Sequence, residues 1–185
     1  MILPIYTYGQ GVLRKTSEDI TPDYSGLAQL VADMFETLAK SEGVGLAAPQ
    51  IGKAIRVVVV DLDPLKDDEP QYAGFRRAYI NPHILEYGDK TDSYDEGCLS
   101  LPGINEKVKR PTTIRLAWDD TDGTHHEEWV DGFLARVLQH ETDHLEGKVF
   151  TDRLTPLRKQ LVKKKLNTLA RGHVSAAYRV KPPRG

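Results

Sequence analysis

Apolar residues recur at steps of three and four over residues 25–40 and 132–145, the spacing that places side chains on one face of an α-helix. Both stretches are therefore predicted to be helical. A third helix is predicted over residues 155–171, where a threonine followed by a proline is a start signal. The first helix carries only core-packing residues, whereas the second also places His140 and His144 one turn apart.

Shorter stretches have the pattern of strands. Residues 55–62 are rich in β-branched residues and predict a buried strand, and residues 78–82 predict another. Apolar and polar residues alternate over 113–119 and continue over 127–130 beyond an Asp-Gly turn, which predicts a hairpin. The polar residues 63–77 are expected to form an exposed loop.

These elements predict an α+β fold, in which short antiparallel strands pack around a central helix and a C-terminal helix follows. Strands and helices do not alternate as they would in a doubly wound sheet. The 185 residues fit one domain, which we place at residues 1–171. Residues 172–185 contain a proline pair and are expected to form a flexible tail.

The composition excludes several classes of protein. Charged residues make up 28% and hydrophobic residues 39%, as in a globular protein rather than a disordered one. The net charge of −2 gives no overall attraction to nucleic acid or acidic lipid. The longest aliphatic run, residues 57–60, is too short to cross a membrane, and no signal peptide is visible. The single cysteine, Cys98, excludes an internal disulfide, so a cytoplasmic location is expected.

The second predicted helix carries the pattern H-E-x-x-H at His140, Glu141 and His144. Two imidazoles one turn apart can bind one metal ion, and the adjacent carboxylate can act as a general base toward water on that ion. The alternative is a helix with two partly buried histidines and a solvated glutamate, because short motifs give false positives. The motif favours a metal-dependent hydrolase.

A catalytic ion of this kind usually takes three protein ligands and leaves a position for water. The strongest remaining ligand is Cys98, although a lone cysteine is more often a small buried apolar residue. Gly97 would let the backbone approach a neighbour, and Glu96 could hydrogen-bond a ligand or fix the loop. Two histidines and one thiolate suit Zn²⁺ or Fe²⁺. Four further histidines are expected to be surface or structural residues: His83, His125, His126 and His173.

Three motifs stand in the chain: G-V-G-L-A-A-P-Q at residues 43–50, E-G-C-L-S at 96–100 and Q-H-E-T-D-H-L at 139–145. In this set and order they resemble the peptide deformylase family, over about residues 2–171. The resemblance implies a single catalytic domain that removes the N-formyl group from the N-terminal methionine of newly made polypeptides and releases formate. It also implies one Fe²⁺ per chain, which Ni²⁺, Co²⁺ or Zn²⁺ can replace. The expected metal ligands are Cys98, His140 and His144.

The resemblance implies catalytic roles for Gln50, Leu99 and Glu141. The side-chain amide of Gln50 and the backbone N–H of Leu99 are expected to donate to the oxyanion that forms on the formyl oxygen. Glu141 is expected to take a proton from water and return it to the leaving amine. By itself, Gln50 would more often be a loop glutamine in water, and the other motifs favour the catalytic role.

Substrate binding is expected along the first motif. Gly43 and Gly45 leave bare backbone against which an extended peptide can lie as an added strand, although both could simply be turn glycines. Val44 and Gly97 would offer main-chain groups to that peptide. The candidates for an apolar pocket around the methionine side chain are Val44, Phe133, Val137 and the alkyl stem of Arg136.

Arg110 is expected to orient the cysteine loop or to pair with a carboxylate such as Asp143. The last predicted helix is basic, which is most often a solvated face. The alternative is docking to ribosomal RNA near the peptide exit, which would make the ribosome a partner besides nascent polypeptides. Nothing in the sequence requires more than a monomer.

Two other functions fit part of the pattern. A peptide-binding protein with a structural ion would normally fill four positions with protein ligands, whereas three are evident here. An ordinary zinc endopeptidase would have another ligand downstream of His144, which is missing, and would leave Cys98 without a role.

Overall fold

The computed structural model describes residues 1–184. Its helices are α1 (Leu27–Lys40), α2 (Gly132–Leu145) and α3 (Pro156–Ala170). Its strands are β1 (Ile5–Tyr6), β2 (Gly45–Ala47), β3 (Val57–Asp61), β4 (Arg76–Tyr87), β5 (Thr91–Cys98), β6 (Leu101–Pro111), β7 (Thr113–Asp119), β8 (His125–Asp131) and β9 (Val180–Lys181). The three predicted helices, the two predicted strands and the predicted hairpin are confirmed. None of the helices in the described residues is long and apolar enough to cross a membrane.

The strands form one main sheet and two ribbons. The main sheet is antiparallel in the order β2-β3-β4-β7-β8, and β5 and β6 pair as a separate antiparallel ribbon. β1 and β9 pair in parallel. The predicted α+β fold is confirmed, but the long β5–β6 ribbon, which carries Cys98, was not predicted.

Strand β3 is the centre of the hydrophobic core. Its valines 57–60 are fully buried, and successive side chains point to opposite faces of the sheet. Val57 and Val59 pack with the apolar face of α1, whereas Val58 and Val60 pack with α2. The sheet is therefore covered by a helix on each face, which explains why this strand is apolar throughout rather than alternating.

Helix α2 is the central helix that the pattern predicted. Every residue from 135 to 145 is buried, including its polar residues. Burying polar side chains is costly unless they are paired. The helix therefore needs partners inside the protein, and these partners belong to the site described below.

The polar stretch 63–77, predicted as a loop, contains two 3-10 turns, Asp63–Leu65 and Pro70–Tyr72, and β4 begins within its end. Tyr72 is buried and packs on the core, so the loop is anchored at that residue.

The structure places the C-terminal segment, residues 172–184, against the domain. The N–H of Ile5 donates to the carbonyl of Arg179 (2.9 Å), and β9 continues this pairing with β1. Val174 packs in the cluster beneath α3. These contacts argue against the predicted flexible tail and for a domain that continues past residue 171.

Candidate active site

Three potential metal ligands from two elements converge in the structure. His140 and His144 lie one turn apart on α2, with ring centroids 5.3 Å apart. Cys98 ends β5, where a register shift after Gly97 bends the ribbon. The Cys98 Sγ lies 3.3 Å from His144 Nε2, and one ligand atom from each residue lies within 4.8 Å of the others. Ligand atoms around one tetrahedral ion are separated by roughly 3 to 4 Å, so this cluster has the dimensions of a metal site.

The ionisation of Cys98 also fits a metal ligand. Burial raises the pKa of the thiol, but the imidazoles of His144 and His140 outweigh that effect and lower the pKa to about 5. The thiolate, which is the form that binds metals, is therefore favoured at neutral pH. Two imidazole nitrogens and one thiolate form a donor set that first-row transition metals accept.

Glu96 orients the first histidine of the cluster. Its Oε1 lies 2.9 Å from His140 Nδ1, which leaves Nε2 of the ring available to bind an ion. Arg110 donates to Glu96 through Nε (2.6 Å) and Nη2 (2.9 Å), and Arg136 donates through Nη1 (2.6 Å). Burial raises the pKa of Glu96, but Arg110 and His140 outweigh this and lower it to about 2. The predicted hydrogen bond between Glu96 and one of the expected ligands, His140, is confirmed, and the Glu96 carboxylate is its acceptor.

Arg110 also forms an ion pair with α2, next to His144. Its Nη1 donates to Asp143 Oδ2 (2.9 Å), which confirms the predicted partner. Arg153 donates to both oxygens of Asp143, each at 2.6 Å. Because Asp143 precedes His144, these ion pairs tie strand β6 to α2 close to the second histidine.

Glu141 lies beside this cluster, and one of its carboxylate oxygens is fully buried without a partner among the described residues. Its side chain is 4% exposed, and Oε2 has no hydrogen-bond partner among residues 1–184. Burial raises the pKa of this carboxyl to about 6. Strand β2 passes so closely that a Cβ at Gly45 would lie 2.7 Å from Glu141 Oε1. A buried carboxylate of this kind is placed to exchange a proton with a bound molecule.

Gln50 is not a loop glutamine in water, because it is only 1% exposed. Its Oε1 accepts from the N–H of Ala47 (3.0 Å), which fixes the orientation of the amide. Its Nε2 then donates to Ser100 Oγ (3.1 Å) and lies 3.5 Å from Cys98 Sγ. The structure thus places an oriented amide donor beside the metal cluster.

One cavity of about 530 Å³ is lined by the site residues Gln50, Glu96, Cys98, His140 and Glu141, and by Leu99. It is also lined by every residue predicted to bind substrate: Gly43, Val44, Gly45, Gly97, Phe133, Arg136 and Val137. Arg136 makes a second ion pair that the sequence did not suggest. Its Nη2 donates to Asp92 Oδ1 (2.7 Å). Its guanidinium therefore belongs to the ion-pair network, and only the remainder of the side chain can contribute an apolar wall.

Sequence reasoning missed two parts of the site. Ser100 belongs to a motif that was recognised, but its role as the acceptor for Gln50 depends on a contact across 50 residues. The C-terminal residues 175–178 also line the cavity. A signal for them exists, because apolar residues alternate at Val174, Ala176, Tyr178 and Val180 as in a strand.

The remaining histidines lie outside the site, as expected. Three of them face aspartates: His83 with Asp19 (2.8 Å), His125 with Asp119 (2.7 Å) and His126 with Asp120 (2.7 Å). His173 is exposed. None of these four histidines is among the described residues that line the cavity.

The chain is similar to known proteins over nearly its whole length. The sequence model of the family described as Polypeptide deformylase matches residues 2–160. The chain is 44% identical to the peptide deformylase of Flavobacterium johnsoniae, in an alignment that covers 98% of this chain and 96% of that protein. Among solved structures, a peptide deformylase of Plasmodium falciparum matches with a TM-score of 0.82 at 37% identity, covering 91% of this chain and 96% of that chain. That of Thermus thermophilus matches with a TM-score of 0.82 at 36% identity, covering 93% and 99%.

Proposed function

Because the chain belongs to the polypeptide deformylase family, we propose a role for each cavity residue in removing the N-formyl group from nascent polypeptides. The protein is a metal-dependent hydrolase that acts during protein biosynthesis. The comparisons give no support to a non-catalytic peptide-binding protein. The observation that carries the residue assignment is the convergence of Cys98, His140 and His144. Two of these residues, Cys98 and His140, line the same cavity as Glu141.

Cys98, His140 and His144 hold the metal ion in this proposal. A bound ion supplies a Lewis acid that polarises the formyl carbonyl and lowers the pKa of water. We propose Fe²⁺ as the resident ion, one per chain, with Ni²⁺, Co²⁺ or Zn²⁺ as replacements. The mixed nitrogen and sulfur donors support this range, because imidazole and thiolate bind all of these ions.

Glu141 carries the proton. Its Oε2 is buried and free of protein partners among the described residues, so it can accept a proton from the attacking water. The same carboxyl then donates that proton to the amine that leaves when the C–N bond of the formamide breaks. The pKa of about 6 supports both steps, because the carboxyl is mostly ionised at neutral pH and yet basic enough to hold a proton.

Gln50 and Leu99 stabilise the negative charge that grows on the formyl oxygen. Gln50 Nε2 is oriented by its bonds to Ala47 and Ser100, and a donor held in place before reaction needs no reorganisation during it. The backbone N–H of Leu99 is proposed as the second donor. One such donor typically contributes about 3–4 kcal/mol to lowering the barrier.

The peptide lies in the remaining cavity. Gly43, Val44 and Gly45 on one side and Gly97 on another present main-chain groups to an extended substrate. Phe133 and Val137 lie on α2 one to two turns before His140, so a methionine side chain placed between them would bring its formyl group to the ion. The stem of Arg136 completes this pocket.

Formate release from formyl-Met-Ala-Ser by the Fe²⁺- or Ni²⁺-loaded protein under anaerobic conditions tests the activity, with acetyl-Met-Ala-Ser as the matched substrate. We expect rapid release of formate from the formyl peptide and no release of acetate from the acetyl peptide.

Cys98→Ser tests the assignment of Cys98 as a metal ligand and should weaken metal retention, whereas Ser93→Ala on the same strand should not. Wild-type metal content in Cys98→Ser would contradict the assignment.

We also propose partners and a location. The substrate is made by ribosomes, which supports a cytoplasmic enzyme. The exposed basic residues of α3 support docking to ribosomal RNA, and they include Arg158, Lys159, Lys163, Lys164, Lys165 and, just beyond the helix, Arg171.

We propose that the protein is a monomer, since the proposed metal ligands and the residues that line the cavity come from one chain. Light scattering behind a size-exclusion column would contradict this if it gave twice the chain mass.

A further inference from the structure

The C-terminal segment has the alternating burial of a strand that faces the protein on one side. From residue 172 to residue 181 half-buried and exposed positions alternate, and Tyr178 and Val180 face inward. The end of the segment is fastened by Gln10, whose Nε2 donates to the carbonyls of Lys181 (3.1 Å) and Pro182 (2.9 Å). The segment is therefore held across the surface beside the cavity.

This segment supplies one wall of the active-site cavity. Residues 175–178 line the same cavity as Gln50, Cys98 and Glu141. Tyr178 and Leu99 both pack against the core cluster beneath α1. Its phenol is part-buried and donates to the carbonyl of Leu99 at 2.7 Å.

Three hydrogen bonds restrain the chain just after Cys98, and the Leu99 carbonyl accepts one of them. The next carbonyl, that of Ser100, accepts from the N–H of Tyr8 (2.8 Å), and the Ser100 hydroxyl accepts from Gln50 (3.1 Å). Leu99 itself is half-buried and follows the metal ligand directly. The hydrogen bond from Tyr178 is therefore the attachment that restrains the backbone of Leu99 between Cys98 and Ser100.

We propose that Tyr178 is a positioning residue for deformylation, because its hydroxyl holds the Leu99 carbonyl and so aims the Leu99 N–H at the developing oxyanion. The inference rests on the proposed function of Leu99. Because the oxyanion exists only during reaction, loss of this restraint weakens binding of the transition state and leaves ground-state binding unchanged. Loss of one neutral hydrogen bond corresponds to a change in rate of about 3- to 10-fold.

The variant Tyr178→Phe removes the hydroxyl and keeps the ring that packs on the core cluster. We expect kcat for formyl-Met-Ala-Ser to fall by about 3- to 10-fold. The KM, the inhibition constant of the product Met-Ala-Ser and the metal content should all stay within about twofold of wild type, because none of them involves the oxyanion. Tyr24→Phe is the matched control, since Tyr24 packs on the same core cluster but does not line the cavity.

An unchanged kcat in Tyr178→Phe would overturn the inference. So would a rise in KM and in the product inhibition constant with kcat unchanged, which would mean that Tyr178 only shapes the groove. An equal fall in kcat in Tyr24→Phe would point to general destabilisation and would also overturn it. If the wild-type protein releases no formate, the proposed function fails first, and the inference that rests on it fails with it.

Discussion

Gly45 allows strand β2 to pass close to Glu141, the carboxylate that we propose as the proton carrier. A Cβ at this position would lie 2.7 Å from Glu141 Oε1 and 3.0 Å from Val137 Cγ1. Gly45→Ala should therefore displace Glu141 and lower kcat/KM by about 100-fold, the cost of an error of roughly 1 Å in a reacting group. A steady-state assay of formate release measures this change in kcat/KM.

Gly11→Ala is the control for this substitution. A Cβ at Gly11 would meet no atom within 4 Å among residues 1–184, so its activity should equal that of wild type. Wild-type activity in Gly45→Ala would show that the close approach of β2 has no bearing on catalysis.

Glu96 connects the ion-pair network to the metal centre. It is the carboxylate partner of His140 and the shared acceptor for Arg110 and Arg136. Glu96→Gln should weaken metal affinity by about 10- to 100-fold, because the orientation of the His140 ring is no longer fixed by a charged partner. It should also destabilise the fold by about 3 kcal/mol, the lower end of the cost of breaking a buried ion pair, since Arg110 and Arg136 lose the anion they share but keep Asp143 and Asp92.

A chelator competition and a urea unfolding curve measure these two effects. The exposed Glu128 supplies the control variant Glu128→Gln, which should change neither quantity. Metal affinity equal to that of wild type in Glu96→Gln would contradict the proposed role of Glu96.

The residues of the site were predictable to different degrees. His140, Glu141 and His144 form a local helical pattern, so their shared location follows from spacing alone. The contacts of Gln50 with Cys98 and Ser100 and the ion pairs of Arg136 were not predictable, because these partners lie 40 to 50 residues away in the chain.

Among the elements, periodicity predicted the helices well and the β5–β6 ribbon not at all. Strand β5 is exposed at residues 91–95 and polar on both faces, so it shows no alternation. In β6 the buried residues Leu101, Ile104 and Val108 are three and four apart, which is a helical rather than a strand spacing. The pairing of two such strands is decided by tertiary contacts, and sequence patterns do not report these.

Helix α3 carries the prediction about the ribosome. Lys163 and Lys164 are exposed and face a shallow surface groove with Arg171. The double variant Lys163→Glu, Lys164→Glu should reduce cosedimentation with ribosomes by about tenfold at moderate salt, because phosphate contacts depend on local positive charge. Formate release from a tripeptide should be unchanged.

A matched control has the same change in net charge elsewhere on the surface. Lys53→Glu, Lys90→Glu alters two exposed lysines outside α3 and should leave ribosome binding intact. Equal binding by both double variants would contradict docking through α3. These substitutions are better than truncation, because the residues after α3 pair with β1 and line the cavity.

At the scale of the whole molecule, the active site joins segments that are far apart in sequence. The cavity is lined by parts of residues 43–50, 96–105, 133–141 and 175–178. The fold brings them together because β2 and α2 belong to the same core and the β5–β6 ribbon is tied to α2 by the Arg110 ion pairs. The motifs and their order predicted the first three segments, but only the packed chain shows the fourth.

In the proposed mechanism one buried carboxylate, that of Glu141, carries the proton in a metal-assisted deformylation. Measuring kcat and bound metal together in Glu141→Gln tests this role. We predict that kcat for formyl-Met-Ala-Ser falls by about 10²- to 10⁴-fold, while the metal content equals that of wild type, because Glu141 is a proton carrier and not a ligand. Formate release at the wild-type rate, or loss of the metal in this variant, would contradict the account.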